Sequence, residues 1–313
     1  PVLNKQEIPP SWKKPDPNFQ HGGIKAAHRC LESFLGERVA HYNQSISKPA
    51  ASRTGCSRLS PYITWGNLSL KQVHKAFRDT YSTSEVKWQL RSFENRLKWH
   101  CHFIQKFESE PRIEFENINR GFNDIRKEWN EKHFQAWKNG NTGFPLIDAC
   151  MRAVIETGYI NFRMRAMLVS FLTHNLWLHW QKGAIHLGQQ FLDFEPGIHY
   201  PQFQMQAATT GTNSIRIYNP VKQSYDHDPD GNFIKEWVPE LQEVPSNQIH
   251  EPWKLSLMEQ KMYSCVIGED YPEPVIKNLK ESYNRAQQIL WNKKKEKKVQ
   301  QENRRILKKH VKN

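Results

Sequence analysis

Apolar residues along this chain recur mainly at intervals of three and four, the period of a helix with one buried face. After Gly22 and Gly23, the residues Ile24, Ala27, Leu31, Phe34 and Leu35 keep that spacing up to Gly36. Helices are predicted again over Leu70–Phe77 and from about Ser84 to Phe107, whereas residues 108–136 are charged and mixed and predict only short helices. A Gly/Asn turn then leads through Thr142 to Pro145, near the first position of a helix. Leu146, Ile147, Ala149, Met151, Val154 and Ile155 form its apolar positions, and Gly158 marks its end. From Arg163 to Trp180 almost no polar face remains, which predicts one long buried helix. Its Arg, His and Asn interruptions argue against a membrane span. Asp228-Pro229-Asp230-Gly231 reads as a turn, and a last helix runs from about Val275 into a basic end. The elements predict an all-α fold.

Composition narrows the partners. The chain has 313 residues, is 37% hydrophobic and 12% aromatic, and so can bury a large core. Its net charge of +13 points to an anionic partner, nucleic acid first. Part of that charge lies in Lys293-Lys-Lys-Glu-Lys-Lys298 and in Arg304, Arg305, Lys308 and Lys309, a run of the kind that forms solvated tails. Three segments are therefore expected: a polar, proline-rich extended arm over 1–20, a helical body over 21–290 and a basic tail over 291–313. The five cysteines, Cys30, Cys56, Cys101, Cys150 and Cys265, are scattered and lack a Cys-x-x-Cys spacing, which argues against a disulfide framework or an iron–sulfur cluster. No signal peptide or membrane span is visible, so the expected location is cytoplasmic or nucleoid-associated. Neither a GxGxxG nor a P-loop is present.

Several residues carry chemistry. Arg163 and Arg165 open the apolar run, and residues two apart on a helix point to different faces. Buried arginines need anions, and Asp193 and Glu195 are the acids just downstream. The residues themselves leave a structural ion pair and a ligand site both open. Ser57, Leu59 and Ser60 precede a helix start at Pro61, and by themselves they read as a common Ser-rich helix cap. His100-Cys101-His102 suggests a metal, but adjacent helical residues fan out over different faces, so no metal site is expected.

The segment Thr142-Gly143-Phe-Pro145-Leu-Ile-Asp148-Ala-Cys-Met151-Arg152 matches without exception a motif of the DNA photolyase/cryptochrome family, Thr-Gly-x-Pro-aliphatic-aliphatic-Asp-Ala-x-Met-Arg. Thr157-Gly158-Tyr159, Arg163-x-Arg165, Ser170-Phe171-Leu172, Thr210-Gly211, Arg216-Ile-Tyr-Asn219-Pro220 and Trp237-Val-Pro239-Glu240-Leu241 follow in the family's order. The chain thus resembles the FAD-binding domain of that family over about residues 22–290. No run of short Val/Ile strands precedes Gly22, so the family's N-terminal antenna domain is expected to be absent here.

The resemblance implies FAD as cofactor. It implies pyrophosphate contacts from Ser57, Leu59 and Ser60 and a contact from Tyr42, with Cys56 standing where the family has Thr. Trp99, His100 and Tyr159 join the expected cofactor set, as do Arg165 paired with Asp193 beside the flavin ring, Glu195 near the pyrimidine side and His199 facing N5. Electron transfer is expected of Trp137, the surface end of a relay, and of Trp180, its middle member. The innermost Trp is replaced within Phe203-Gln204-Met205-Gln206. DNA contacts are expected of Arg96, Trp99, Phe162 and Arg163. Here Arg96 stands for a lesion-contacting Glu, Phe162 for Asn, Ala166 for Met, and Gln206 or Met205 for a stacking Trp. Three functions remain open: light-driven repair of a pyrimidine photolesion in single- or double-stranded DNA, a cryptochrome-like blue-light sensor acting on a partner protein or nucleic acid, and a DNA-binding flavoprotein without photochemistry.

Overall fold

The computed structural model describes residue 14 and residues 16–310. Most of the expected N-terminal arm lies outside the described residues. The fold is helical throughout; the one β feature among the described residues is an isolated bridge between Ile267 and Tyr271.

Two apolar cores organise the chain. The first lobe is built from α1 (Ile24–Gly36), the short helices α2 (Tyr42–Ser45), α3 (Ala51–Gly55) and α4 (Ser60–Thr64), α5 (Leu70–Thr83) and the start of α6 (Lys87–Ser109). Its core gathers Leu31, Phe34, Tyr42, Leu59, Val73, Leu90 and Phe93. A capping box fixes the start of α5, Ser69 accepting from the Gln72 N–H while Gln72 accepts from that of Ser69.

The larger lobe comprises α7 (Glu131–Lys138), α8 (Pro145–Thr157), α9 (Phe162–Ser170), α10 (Trp180–Gln190), α11 (Pro196–Gln206), α12 (Pro220–His227), α13 (Asn232–Trp237) and α14 (Leu257–Met262). Pro145 supplies the pre-set first residue of α8, and Gly158, at φ 65°, ends it in the left-handed conformation that glycine adopts without a Cβ penalty. Asp148 folds back over the helix start. Its carboxylate accepts from the Thr142 N–H (2.8 Å), the Thr142 hydroxyl (2.6 Å), the Gly143 N–H (3.0 Å) and the Tyr271 hydroxyl (2.6 Å).

Two expectations are corrected here. The apolar run from Arg163 to Trp180 is buried but is not one helix. After Ser170 it passes into a π turn over Phe171–Asn175, reverses at Trp177 (φ 56°), and Trp180 opens α10. The break has tertiary partners that a helical period cannot report. The buried Arg126 donates to the Thr173 carbonyl at 2.7 Å and lies over the Trp177 ring at 4.7 Å. The basic end is likewise no solvated tail through His310. Residues 279–310 form α15 (Leu279–Lys295) and α16 (Lys297–His310), with Val299 and Ile306 of α16 buried. Asn303 receives a bond from Asn119 at 2.9 Å, and Glu110 binds Arg305 at 2.7 Å and His310 at 2.8 Å. Burial alone would raise the Glu110 carboxyl, but bonds from His310, Arg112 and Arg305 override it and hold it at about 2.

Replacing Asp148 by Ala leaves the Tyr271 hydroxyl and the Thr142 and Gly143 donors without their buried acceptor. At about 1–3 kcal/mol for a stranded buried group, the expected loss is roughly 3–5 kcal/mol of unfolding free energy. Urea denaturation followed by circular dichroism measures it, and a loss below about 1 kcal/mol would show that the turn stands without the carboxylate.

Candidate functional site

A cleft of about 510 Å³, partly open to solvent, lies between α9, α10 and α11. Five of the predicted site residues line it, Phe162, Arg165, Asp193, Glu195 and His199, together with Ala166, Phe203 and Gln206 from the positions where the chain departs from the family. Arg165 donates from Nη2 to Asp193 at 3.0 Å and from Nε to the Ile160 carbonyl at 2.9 Å. Its guanidinium sits 3.9 Å from the centre of the Phe191 ring. Three contacts thus fix one cation at the floor of the cleft. Arg163, pointing elsewhere, has no carboxylate partner among the described residues and lies near His227. Glu195 forms no pair with either arginine; it lines the cleft and caps α11 by accepting the Gly197 N–H at 3.2 Å.

His199 comes from α11. Nε2 bonds the Ala184 carbonyl at 2.8 Å and must be the donor there, which leaves Nδ1 as a lone-pair acceptor. Burial presses its pKa down to about 4, so the ring is neutral near pH 7. One turn further on, Phe203 and Gln206 line the cleft, while Gln204 turns away to bond the Ile113 and Glu116 carbonyls. No aromatic larger than Phe203 occupies that wall.

The second group of predicted residues gathers around Tyr159. Tyr42 is buried with its ring against Phe34 and Phe93, close to Arg96, Cys56 and Tyr159. Burial raises both phenols and pushes the Cys56 thiol up to about 11, so all three are neutral. Ser57 and Ser60 are half-buried beside them, but the Leu59 side chain is core, so Leu59 can offer a ligand only its backbone. Sequence reasoning missed Arg58 and Arg53. Arg58 takes a left-handed φ of 58° and lays its guanidinium 3.4 Å from the Tyr159 ring centre. Arg53 sits between Tyr159 and Trp237. Arg58 Nη1 and Arg53 Nε are buried without an acceptor. No spacing signalled them, because Arg58 occupies the variable position between Ser57 and Leu59.

The α6 residues divide. Trp99 is half-exposed and stacks on Phe103 at 5.6 Å, and His100 is near Glu195 with a buried, unpartnered Nδ1. Neither lines the cleft itself, and Arg96 is exposed. Trp137 is not at the surface. It is fully buried, donating to the Leu168 carbonyl at 3.1 Å, as is Trp180, which donates to Asn117 at 2.7 Å. The partly buried Trp129 lies farther out, 4.9 Å from Phe134, whose ring is 6.1 Å from Trp137. Among the described residues no three His, Cys, Asp or Glu come together to hold a metal ion, and no helix is long and apolar enough to cross a membrane.

Comparison with known proteins decides what this arrangement is. Residues 93–292 match the family described as the FAD binding domain of DNA photolyase. The chain belongs to the DNA photolyase/cryptochrome family. It is 34% identical over 266 residues to the deoxyribodipyrimidine photo-lyase of Alkalihalophilus pseudofirmus, covering 83% of this chain and 53% of that protein. It is equally 34% identical to the cryptochrome DASH of Gloeobacter violaceus, covering 82% of this chain and 52% of that one. A bacterial class III photolyase from Agrobacterium tumefaciens superposes with a TM-score of 0.81 at 26% identity, over 88% of this chain and 56% of that structure. The chain thus spans about half the length of the relatives it matches. FAD is the cofactor of this domain, and the residues fit it. Arg58 and Arg53 hold unsatisfied donors for a diphosphate, while the Arg165–Asp193 pair, the orphaned Gln202 carbonyl and neutral His199 offer polar edges around an apolar slot.

The buried histidines make stability depend on pH. His199 at about 4 and His174 at about 3 both lie below the ordinary histidine value, so between about pH 6.5 and 4 the unfolded chain binds protons that the folded chain refuses. Stability is therefore fully present above that window and falls on acidification. Asp148, raised to about 6 by burial, works in the opposite sense and offsets part of the loss. Unfolding free energies from urea denaturation at pH 7 and pH 4.5 should differ by roughly 1–3 kcal/mol, less in His199→Asn. A flat profile would overturn the assignment of a neutral His199.

Proposed function

We propose that this chain is a light-driven DNA repair flavoprotein, using reduced FAD to split a pyrimidine photolesion held at the mouth of the cleft. The observation that carries the reading is an exposed aromatic at the cleft with an uncompensated cation next to it in the chain. Phe162 is 42% exposed and lines the cleft, and its neighbour Arg163 has no acidic partner among the described residues. An aromatic face can stack on an extruded base while the guanidinium holds the adjacent phosphate. When bound, reduced FAD supplies blue-light-driven one-electron chemistry. The protein's part is to bind it through Arg53, Arg58 and the Arg165–Asp193 pair, to keep His199 neutral as an acceptor at the ring edge, and to exclude water with Val169, Leu187 and Phe191. The relatives named photo-lyases support this reading.

A second reading is a cryptochrome-like photoreceptor without repair. It is favoured by two replacements: by the family resemblance Arg96 and Phe162 stand where dimer repair uses a Glu and an Asn, and neither offers a carboxylate or amide to read a base edge. Two measurements separate the readings. Blue light and reductant should restore oligonucleotides carrying a cyclobutane dimer or a (6-4) product, followed by chromatography; no loss of either lesion would leave the photoreceptor. Arg163→Gln should weaken damaged and undamaged DNA alike and lower the salt slope of binding by about 1. An unchanged slope would remove Arg163 from the interface.

A further inference from the structure

The net charge of +13 is concentrated at one end of the chain. Residues 279–313 hold twelve Lys and Arg against three Glu, or +9 of the total. The structure shows how that charge is presented. Two of the three acids are consumed internally: Glu296 pairs with the buried Lys293 at 2.7 Å, and Glu302 with Arg305 at 3.1 Å. Arg305 also binds Glu110, and Val299 and Ile306 are buried in the body. The α16 helix therefore docks by its apolar and acidic side. The charges on its outward side are all cations. At 100° per residue, Lys297, Arg304 and Lys308 fall on one stripe, with Lys298 flanking it and Lys295 at the junction with α15. All five are exposed, and none pairs with a carboxylate among the described residues. A helix face that is merely solvated ordinarily mixes both signs.

We propose that the α15–α16 hairpin is a second DNA-docking surface, binding the phosphate backbone of duplex DNA without reading sequence. This rests on the reading that the chain acts on DNA and adds a surface apart from the flavin cleft, to which the hairpin contributes no lining residue. The end of α15 and all of α16 also lie outside the family match, which stops at residue 292. Duplex fits better than the alternatives. The cations from Lys297 to Lys308 lie along about 16 Å of rigid helix, opposite a polymer carrying one charge per roughly 1.7 Å of axis. Single strands are gripped by several stacking aromatics, whereas the hairpin exposes one, Trp291, with Lys294 5.9 Å from its ring centre. A membrane would require an apolar face, and α16 has turned its own inward, leaving Leu307 as its one half-exposed aliphatic.

The test is a quadruple variant, Lys297→Gln, Lys298→Gln, Arg304→Gln and Lys308→Gln, titrated against a short undamaged duplex by fluorescence anisotropy between about 50 and 200 mM salt. Circular dichroism and the flavin absorption spectrum establish that it folds and holds FAD as the parent does. The expected result is a salt slope smaller by about 3–4 and an affinity at low salt reduced at least about tenfold, with the corresponding Lys→Arg variant keeping the parental slope. If the parent binds duplex steeply and the quadruple variant matches it, the hairpin proposal fails while DNA binding by the cleft stands. If the parent does not bind duplex at any salt, this proposal fails, while the repair reading stands or falls on the lesion assay. Single-stranded DNA, or vesicles containing phosphatidylserine, competing as well as duplex for the parent but not for the variant would keep the surface and overturn its assignment to duplex.

Discussion

A buried carboxylate holds the turn from which the larger core grows. Taking Asp148 out of water is costly, and four donors compensate it: two backbone N–H groups, the Thr142 hydroxyl and the Tyr271 phenol. The consequences spread outward. Thr142 also offers its carbonyl to the Val275 N–H at 2.9 Å, and Gly143, at φ 77°, runs so close to the backbone of Glu273 and Pro274 that a Cβ there would lie 2.5–2.6 Å from it. A segment more than a hundred residues downstream is thereby clasped to the start of α8. The motif that carries the family resemblance is therefore scaffold in this chain. Its Thr, Gly, Pro and Asp set the orientation of α8, and α9, which supplies Arg165, packs against it.

This explains which parts could be read from the sequence. The α1 and α8 helices were legible because their apolar period and their Gly and Pro punctuation agree; that buried arginines need anions was legible too, but the choice of Arg165 with Asp193 came from the family resemblance. What escaped reading depends on partners far away in the chain. The π turn after Ser170 answers to Arg126, and nothing in an unbroken apolar run announces it. The C-terminal run looked like a tail because its composition is basic; two apolar residues and one acid on the body are enough to lay it down as a helix. Trp137 looked like a surface residue through the resemblance, yet the Leu168 carbonyl satisfies its indole N–H inside the core. Arg58 was invisible because its role depends on a left-handed backbone and on Tyr159, a hundred residues away.

The two lobes have separate cores, and the groups that fit FAD are divided between them. Arg53, Arg58, Ser57 and Tyr42 belong to the first lobe, and Arg165, Asp193 and His199 to the second. Between the lobes run polar contacts: Arg53 to the Thr157 hydroxyl at 3.1 Å, Asn161 to the Ile46 carbonyl at 3.0 Å, and the exposed Trp65 to the Leu192 carbonyl at 2.8 Å. The covalent tie is α6, whose 23 residues begin in the first core at Leu90 and Phe93 and end at Phe107, stacked on Tyr200 of α11. A ligand that satisfies stranded arginine donors on one side and an ion pair on the other binds only when both lobes are in place. Its binding free energy is then coupling free energy between them. The orphaned atoms of Arg53 and Arg58 beside Tyr159, and of Gln202 in the cleft, are costs the protein carries alone, and they are of the kind that a diphosphate at one end of a ligand and a flat, polar-edged ring at the other would relieve.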